Sequence, residues 1–221
     1  MIWKKNTLYL IADFSYGLEK LEQALACGIE ILQLREKNIS SAEYLEHAKI
    51  LRRLTRKYNT VFIVNDRLDI AMLSDADGVH LGQSDVPADE ARALLGPDKI
   101  IGVTAKTAAQ SAKARRDGAD YLGSGAWYAT STKADATLIT EETYREILKE
   151  SGLPNVAIGG ITPENCDRPL ACGADGLAVS AGILKGDVEA NIRGFREKFK
   201  QLVTKGSLHQ QAENRRRRLD P

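Results

Sequence analysis

The sequence predicts a single (β/α)8 barrel, and three observations carry that reading. Short β-branched or Leu-rich runs alternate with longer amphipathic segments from residue 7 to residue 200 without a break. Eight such pairs in about 200 residues make roughly 25 per unit, which leaves almost no room for a second domain. Several amphipathic segments finish in a small-residue turn that feeds the next run: Asp77-Gly78, Gly118-Ala119-Asp120 and Gly173-Ala174-Asp175-Gly176. A doubly wound open sheet is the competing architecture. It is disfavoured because the segment after the first strand, Asp13-Phe14-Ser15-Tyr16-Gly17, is not the GxGxxG of a dinucleotide-binding turn.

Taken in order, the runs place strands at 7–12, 29–34, 61–64, 78–81, 100–103, 121–123, 156–158 and 177–179. Each is short and built mainly of Val, Ile, Leu, Ala or Tyr, as a strand buried on both faces requires. The helices expected after them span 17–26, 41–58, 68–73, 88–95, 108–117, 141–150, 163–171 and 187–200. The barrel domain is therefore expected over 1–205. The remainder, 206–221, is polar, lacks apolar periodicity and follows a Gly-Ser step, so a disordered or vector-derived end is expected there.

Composition narrows the function classes. No apolar run approaches the roughly 18 residues that span a bilayer, and the N-terminus opens on Trp3, Lys4 and Lys5 rather than a secretory segment. A cytoplasmic protein without a membrane partner is expected. Cys27, Cys166 and Cys172 are odd in number and lack CxxC spacing, which reads as buried small hydrophobes rather than a disulfide framework or zinc site. The net charge of +1 is uneven: four arginines at 215–218 against Glu213 and Asp220 give the tail +2, so the body is about −1. No electrostatic footprint for nucleic acid remains on the main domain. A homo-oligomer is compatible with the sequence.

In a barrel the loops after the strands build the active site, so the residues at the eight strand ends decide the chemistry. After the second strand, Gln33, Arg35 and Lys37 alternate at i, i+2 and i+4, which in an extended segment puts all three on one face. Two cations and an amide aimed at the mouth suit a polyphosphate, Arg as a planar fork and Lys as a point charge. Asn65-Asp66-Arg67 follows the third strand and His80-Leu81-Gly82-Gln83-Ser84-Asp85 the fourth, so both deliver a carboxylate to the same rim. Two carboxylates facing Arg and Lys make sense around a divalent cation that bridges to a substrate phosphate, and magnesium has that habit. Asp66 as a helix N-cap and Asp85 as a plain loop residue are the bland alternatives. His80 reads as a packed strand-end histidine rather than a metal ligand.

The sixth loop, from Gly123 through Thr130-Ser131-Thr132-Lys133, carries three hydroxyls and a lysine in succession, an anion-handling segment long enough to close over a ligand. The seventh and eighth strand ends, Gly159-Gly160-Ile161 and Ser180-Ala181-Gly182, are small enough for backbone N–H groups to approach a second phosphate. The mouth thus reads as built for two phosphorylated partners. No Ser-His-Asp order, Cys–His pair or strand-borne Schiff-base lysine favours covalent catalysis.

Six runs in order, Leu8-Tyr9-Leu10-Ile11-Ala12-Asp13, Gln33-Leu34-Arg35-Glu36-Lys37, Val64-Asn65-Asp66-Arg67, Gly78-Val79-His80-Leu81-Gly82-Gln83, Thr130-Ser131-Thr132-Lys133 and Ile158-Gly159-Gly160-Ile161, resemble the thiamine phosphate synthase family over about residues 6–200. That family joins a hydroxymethylpyrimidine pyrophosphate to a thiazole phosphate and releases pyrophosphate, with magnesium. The resemblance implies that Gln33, Arg35, Lys37, Asn65 and Lys133 hold the pyrimidine pyrophosphate, and that Asp66 and Asp85 carry the magnesium. It assigns Thr104, Thr130, Thr132, Gly160 and the turn at 180–183, including Ser180 and Ala181, to the thiazole phosphate, and Arg35, Lys37 and Lys133 to the charge that develops on the leaving group.

Three places depart from the family pattern. Thr104 and Lys106 replace Ser and His, Ala126-Trp127-Tyr128-Ala129 replaces a Pro-containing stretch, and Val179-Ser180-Ala181-Gly182 is one residue out of step. The nearest rival reading is a thiazole tautomerase barrel, whose proton-transferring histidine falls at Ala126 here. A non-catalytic thiamine phosphate binder and an unrelated phosphosugar isomerase are more distant alternatives.

Overall fold

Eight parallel strands close in sequence order: β1 Thr7–Ala12, β2 Ile31–Leu34, β3 Val61–Asn65, β4 Gly78–Leu81, β5 Ile100–Thr104, β6 Tyr121–Ser124, β7 Asn155–Ile158 and β8 Gly176–Val179. β8 pairs back onto β1, with Thr7 opposite Gly176 and Leu10 opposite Val179. The computed structural model describes residues 3–130 and 137–217, with side chains through residue 202. Helices α1 Leu18–Ala26, α2 Ser41–Lys57, α3 Leu68–Leu73, α4 Ala88–Leu95, α5 Ala108–Arg116, α6 Glu141–Ser151, α7 Asp167–Ala171, α8 Ala181–Leu184 and α9 Val188–Arg217 follow the strands. This is the (β/α)8 barrel that the alternation predicts.

The two-residue period of the strands sorts side chains to opposite sides of the closed sheet. On β1, Tyr9 and Ile11 point into the barrel and pack with Ile31, Ile63, Ile100, Tyr121 and Val156. Leu8, Leu10 and Ala12 point outward into the larger core beneath the helices. α2 shows why a helix forms over that sheet: Ser40 caps it by accepting from the Glu43 N–H, and Tyr44, Ala48, Leu51 and Thr55 recur on its buried face.

The three turns read as a quasi-repeat have a further job, which Glu30, expected within a strand, shares. An acidic residue just before each even-numbered strand accepts a hydrogen bond from the backbone of the preceding odd strand: Glu30 from Leu8 N–H (2.9 Å), Asp77 from Phe62 N–H (2.7 Å), Asp120 from Ile101 N–H (2.7 Å) and Asp175 from Asn155 N–H (2.9 Å). Each carboxylate also meets a cation, respectively Arg196, Arg52, Arg92 and Lys5. These staples sit at the strand starts, the face that serves stability rather than chemistry.

Three expectations need correction. The helix expected over 163–171 begins only at Asp167, because the Asn165 side chain accepts from Thr162 N–H and donates to the Gly160 carbonyl, committing the preceding residues to a capped turn. α8 and the 3-10 turn Phe14–Tyr16 were not anticipated, each being too short for periodicity to register. The last helix extends past residue 200, so the segment from 206, expected to lack regular structure, is helical through Arg217. Val188, Ile192, Phe195 and Phe199 anchor its first turns in the core, and helix growth from an existing turn is favourable in a run of Gln, Ala, Glu and Arg.

Candidate active site

The ends of β2, β3 and β4 bring three of the expected residues into contact. Lys37 Nζ lies 2.9 Å from Asp66 Oδ2, and the Asp66 and Asp85 carboxyl groups are within hydrogen-bonding reach of each other. Burial pushes the Asp66 carboxyl up, but its bonds to Lys37 and Asp85 outweigh that and hold it below the ordinary carboxylate range. Asp85 moves the other way: burial and the neighbouring Asp66 push it up, against the pull of the Gly82 N–H. One carboxylate is thus firmly ionised beside another that holds its proton more readily.

Local backbone explains the convergence. Asp66 adopts a left-handed conformation, φ 63°, directly after β3, and its N–H donates to the His80 carbonyl at 2.9 Å. That turn swings its side chain toward the β4 loop, and Arg67 rather than Asp66 occupies the N-cap of α3. Asp85 closes the β4 loop on itself by accepting from Gly82 N–H at 2.7 Å. The Tyr44 hydroxyl binds β2 to β3 at this end, 2.9 Å from Leu34 O and 3.1 Å from Asn65 O. Between Arg35 and Lys37, Glu36 takes Phe14 N–H and lies 2.8 Å from His47 Nδ1, so the β1 and β2 loops are tied while the flanking cations stay at the rim.

The alternation drawn for Gln33, Arg35 and Lys37 holds only in part, because β2 ends at Leu34. Gln33 is buried inside the barrel and donates to the Tyr9 hydroxyl. Arg35 lies just beyond the strand, half-buried, its N–H bonded to Ala12 O, and its guanidinium makes no side-chain bond among the described residues. Asn65 is buried at the end of β3, beside Asp66.

Across the mouth, the β6 and β7 loops are joined backbone to backbone. Trp127 N–H donates to Ile158 O and Tyr128 N–H to Gly159 O, both at 3.0 Å. Gly160 has φ 62°, and a Cβ there would stand 2.5 Å from Ala129 O, so only glycine fits this seam. Ser180 precedes α8, with its carbonyl accepting from Ile183 and Leu184, and Ala181 opens that helix. Thr130 is half-buried at the described edge of the β6 loop, while Ser131, Thr132 and Lys133 lie outside the described residues.

A buried polar network was not anticipated from the sequence. Gln33, Tyr9, Tyr121, His80 and Thr104 are linked in series through the barrel interior. The signal for it was present: tyrosines at inward strand positions must find hydrogen-bond partners. His80 is the packed histidine expected, and burial, opposed by the Asp66 charge, pulls its pKa down to about 4. Cys166 and Cys172 are buried and Cys27 half-buried, and burial raises all three thiols, which disfavours nucleophilic use.

Among the described residues no cluster of three or more His, Cys, Asp or Glu could cage a metal. Asp66 and Asp85 nonetheless suit magnesium, which takes one or two carboxylates and completes its shell with substrate phosphate and water. The proton affinity that Asp66 imposes on Asp85 is the like-charge crowding that a cation relieves.

Fold and rim together define a (β/α)8-barrel enzyme with paired carboxylates and cations at its strand C-termini, an arrangement suited to phosphorylated small molecules. Residues 8–183 match the family model described as thiamine monophosphate synthase. Curated relatives include the thiamine-phosphate synthase of Methanobrevibacter smithii, 45% identical over 81% of this chain and 88% of its own length. That of Clostridioides difficile is 48% identical over 81% of this chain and 88% of its own. Among solved structures, thiamine phosphate pyrophosphorylase from Pyrococcus furiosus superposes with a TM-score of 0.81 at 36% identity, over 90% of this chain and 96% of that one. The chain belongs to the thiamine monophosphate synthase family.

Proposed function

We infer that the chain is a transferase of thiamine biosynthesis that joins 4-amino-2-methyl-5-hydroxymethylpyrimidine pyrophosphate to 4-methyl-5-(2-phosphoethyl)thiazole, giving thiamine phosphate and pyrophosphate. The observation that carries the site reading is the convergence of Asp66, Asp85 and Lys37 at one rim. The bond from the pyrimidine methylene to oxygen breaks with its electron pair leaving on pyrophosphate, and the thiazole nitrogen lone pair then forms the new C–N bond. No proton needs to be taken for that bond to form, so the residues stabilise charge and align rings.

In this reading Lys37, Arg35 and Lys133 meet the charge that grows on the departing pyrophosphate, and Gln33 and Asn65 orient the pyrimidine partner. Thr104, Thr130, Thr132, Gly160, Ser180 and Ala181 receive the thiazole phosphate across the mouth. Asp66 and Asp85 would hold a magnesium ion, which when bound supplies charge neutralisation to the diphosphate. A cytoplasmic location is part of the reading, and no helix among the described residues is long and apolar enough to cross a membrane.

The tautomerase alternative loses ground at Ala126, which is buried and offers no proton-transfer group where that relative has histidine. Incubation with both phosphorylated heterocycles and magnesium, reading pyrophosphate and thiamine phosphate in parallel, tests the proposal. Equal release of both products, abolished by a chelator, is expected; rearrangement of the thiazole partner without pyrophosphate release would contradict it.

A further inference from the structure

The interior network has a direction, and it ends at the mouth. Gln33 Nε2 can only donate, and it does so to the Tyr9 hydroxyl at 2.7 Å. Gln33 Nε2 offers no lone pair, so among the described residues the one acceptor within reach of the Tyr9 proton is the Tyr121 hydroxyl, 2.7 Å away. Tyr121 in turn gives its proton to His80 Nδ1 at 2.9 Å. A ring that accepts at Nδ1 and is neutral carries its hydrogen on Nε2, and that nitrogen stands 3.0 Å from Thr104 Oγ1. Thr104 therefore accepts from His80 and keeps one hydroxyl proton to give away.

The surroundings are shaped to hold this chain in place. Tyr9, Tyr121 and Gln33 are almost wholly buried, so no bulk water competes for their bonds. β5 leaves out a side chain at Gly102, where a Cβ would stand 2.1 Å from the Tyr121 ring, and that gap admits the phenol. The Trp3 ring packs at a tilt of 39° against the same ring, with centroids 4.5 Å apart. At the mouth, Gln83 Nε2 donates to the Thr104 carbonyl at 2.6 Å and fixes the end of β5.

We propose that this relay makes Thr104 an obligate hydrogen-bond donor to an acceptor atom of bound substrate, a phosphate oxygen or a heterocycle nitrogen, with Tyr9, Tyr121 and His80 as positioning residues. The proposal rests on the reading that Thr104 touches substrate. Its distinctive claim is the hydrogen position on His80, which does not depend on that reading. A threonine free to rotate would offer either its proton or a lone pair. The relay removes the second choice and discriminates against a ligand that presents a donor at this point.

Two measurements on the full chain test it separately. Nitrogen-15 spectra of histidine-labelled protein, with His80→Gln used to assign the signal, should show His80 with its hydrogen on Nε2, and Tyr121→Phe should shift the signal away from that form. Steady-state kinetics should show Thr104→Val raising KM roughly tenfold for one substrate with a smaller change in kcat. Thr104→Ser, which keeps the hydroxyl, should recover most of that loss; a KM that moves for the thiazole partner keeps Thr104 where the proposed function puts it, and one that moves for the pyrimidine partner overturns that assignment while leaving the donor role in place. Tyr9→Phe, one link further in and distant from substrate, should move KM for the same substrate. A wild-type His80 with its hydrogen on Nδ1 overturns the relay. Unchanged KM for both substrates in Thr104→Val overturns instead the contact on which it rests.

Discussion

Lowering the pH from about 7.5 to about 5 should charge His80 in the unfolded chain but not in the folded one. Burial brings its folded pKa from 6.5 to about 4, opposed by the Asp66 charge. Below the unfolded value the denatured chain binds a proton that the native one refuses, so stability falls as pH falls and levels off below the folded value. At about 1.4 kcal/mol per unit of separation, the full effect is about 3 kcal/mol, of which about 2 kcal/mol is lost by pH 5. Urea titrations of wild type and His80→Gln at several pH values isolate it, since carboxylate contributions are common to both chains. The wild-type curve should drop relative to the variant by about 2 kcal/mol across that window. Parallel curves would refute the placement of a neutral, desolvated imidazole in the barrel.

Further outcomes follow from the rim and the seam. Lys37→Ala removes the cation that holds Asp66 low, so the carboxylates should share a proton at higher pH and turnover should fall at least about tenfold with folding intact; unaltered turnover contradicts the assignment. Arg35→Ala and Lys133→Ala should each lower kcat more than substrate affinity, read by steady-state kinetics; near-normal kcat removes the residue from leaving-group stabilisation. Gly160→Ala puts a Cβ 2.5 Å from Ala129 O at a left-handed φ, so it should cost roughly 1–3 kcal/mol, seen as a Tm lowered by several degrees. An unchanged Tm would show the two loops are not locked there.

Much of the framework was legible because it depends on local pattern. β1, β4, α3 and α4 begin and end where composition puts them, and seven of the eight strands start on or within a residue of expectation, β2 being the exception. Asp77, Asp120 and Asp175 stand in turns the sequence marks, whereas Glu30 falls inside the strand expected over 29–34; none of their staples on the odd strands could be seen, because those bonds join segments 15 to 22 residues apart. At the site, strand-end position was enough to bring Asp66, Asp85 and Lys37 to one rim. It was insufficient for Gln33, whose two-residue kinship with Arg35 and Lys37 breaks where β2 stops and the amide turns inward to Tyr9. The relay from Tyr9 to Thr104 crosses four strands, and only barrel closure places those residues side by side. The helical extension through Arg217 went unread because its sequence has no apolar stripe to mark it.

A magnesium titration of pyrophosphate release, with both heterocycles held constant and wild type set against Asp66→Asn and Asp85→Asn, puts the rim itself on trial. Each variant should need at least about tenfold more metal to reach half its maximal rate, while its unfolding midpoint stays near that of wild type. Three superimposable titration curves would mean that the two carboxylates meet at the mouth for some purpose other than carrying the ion.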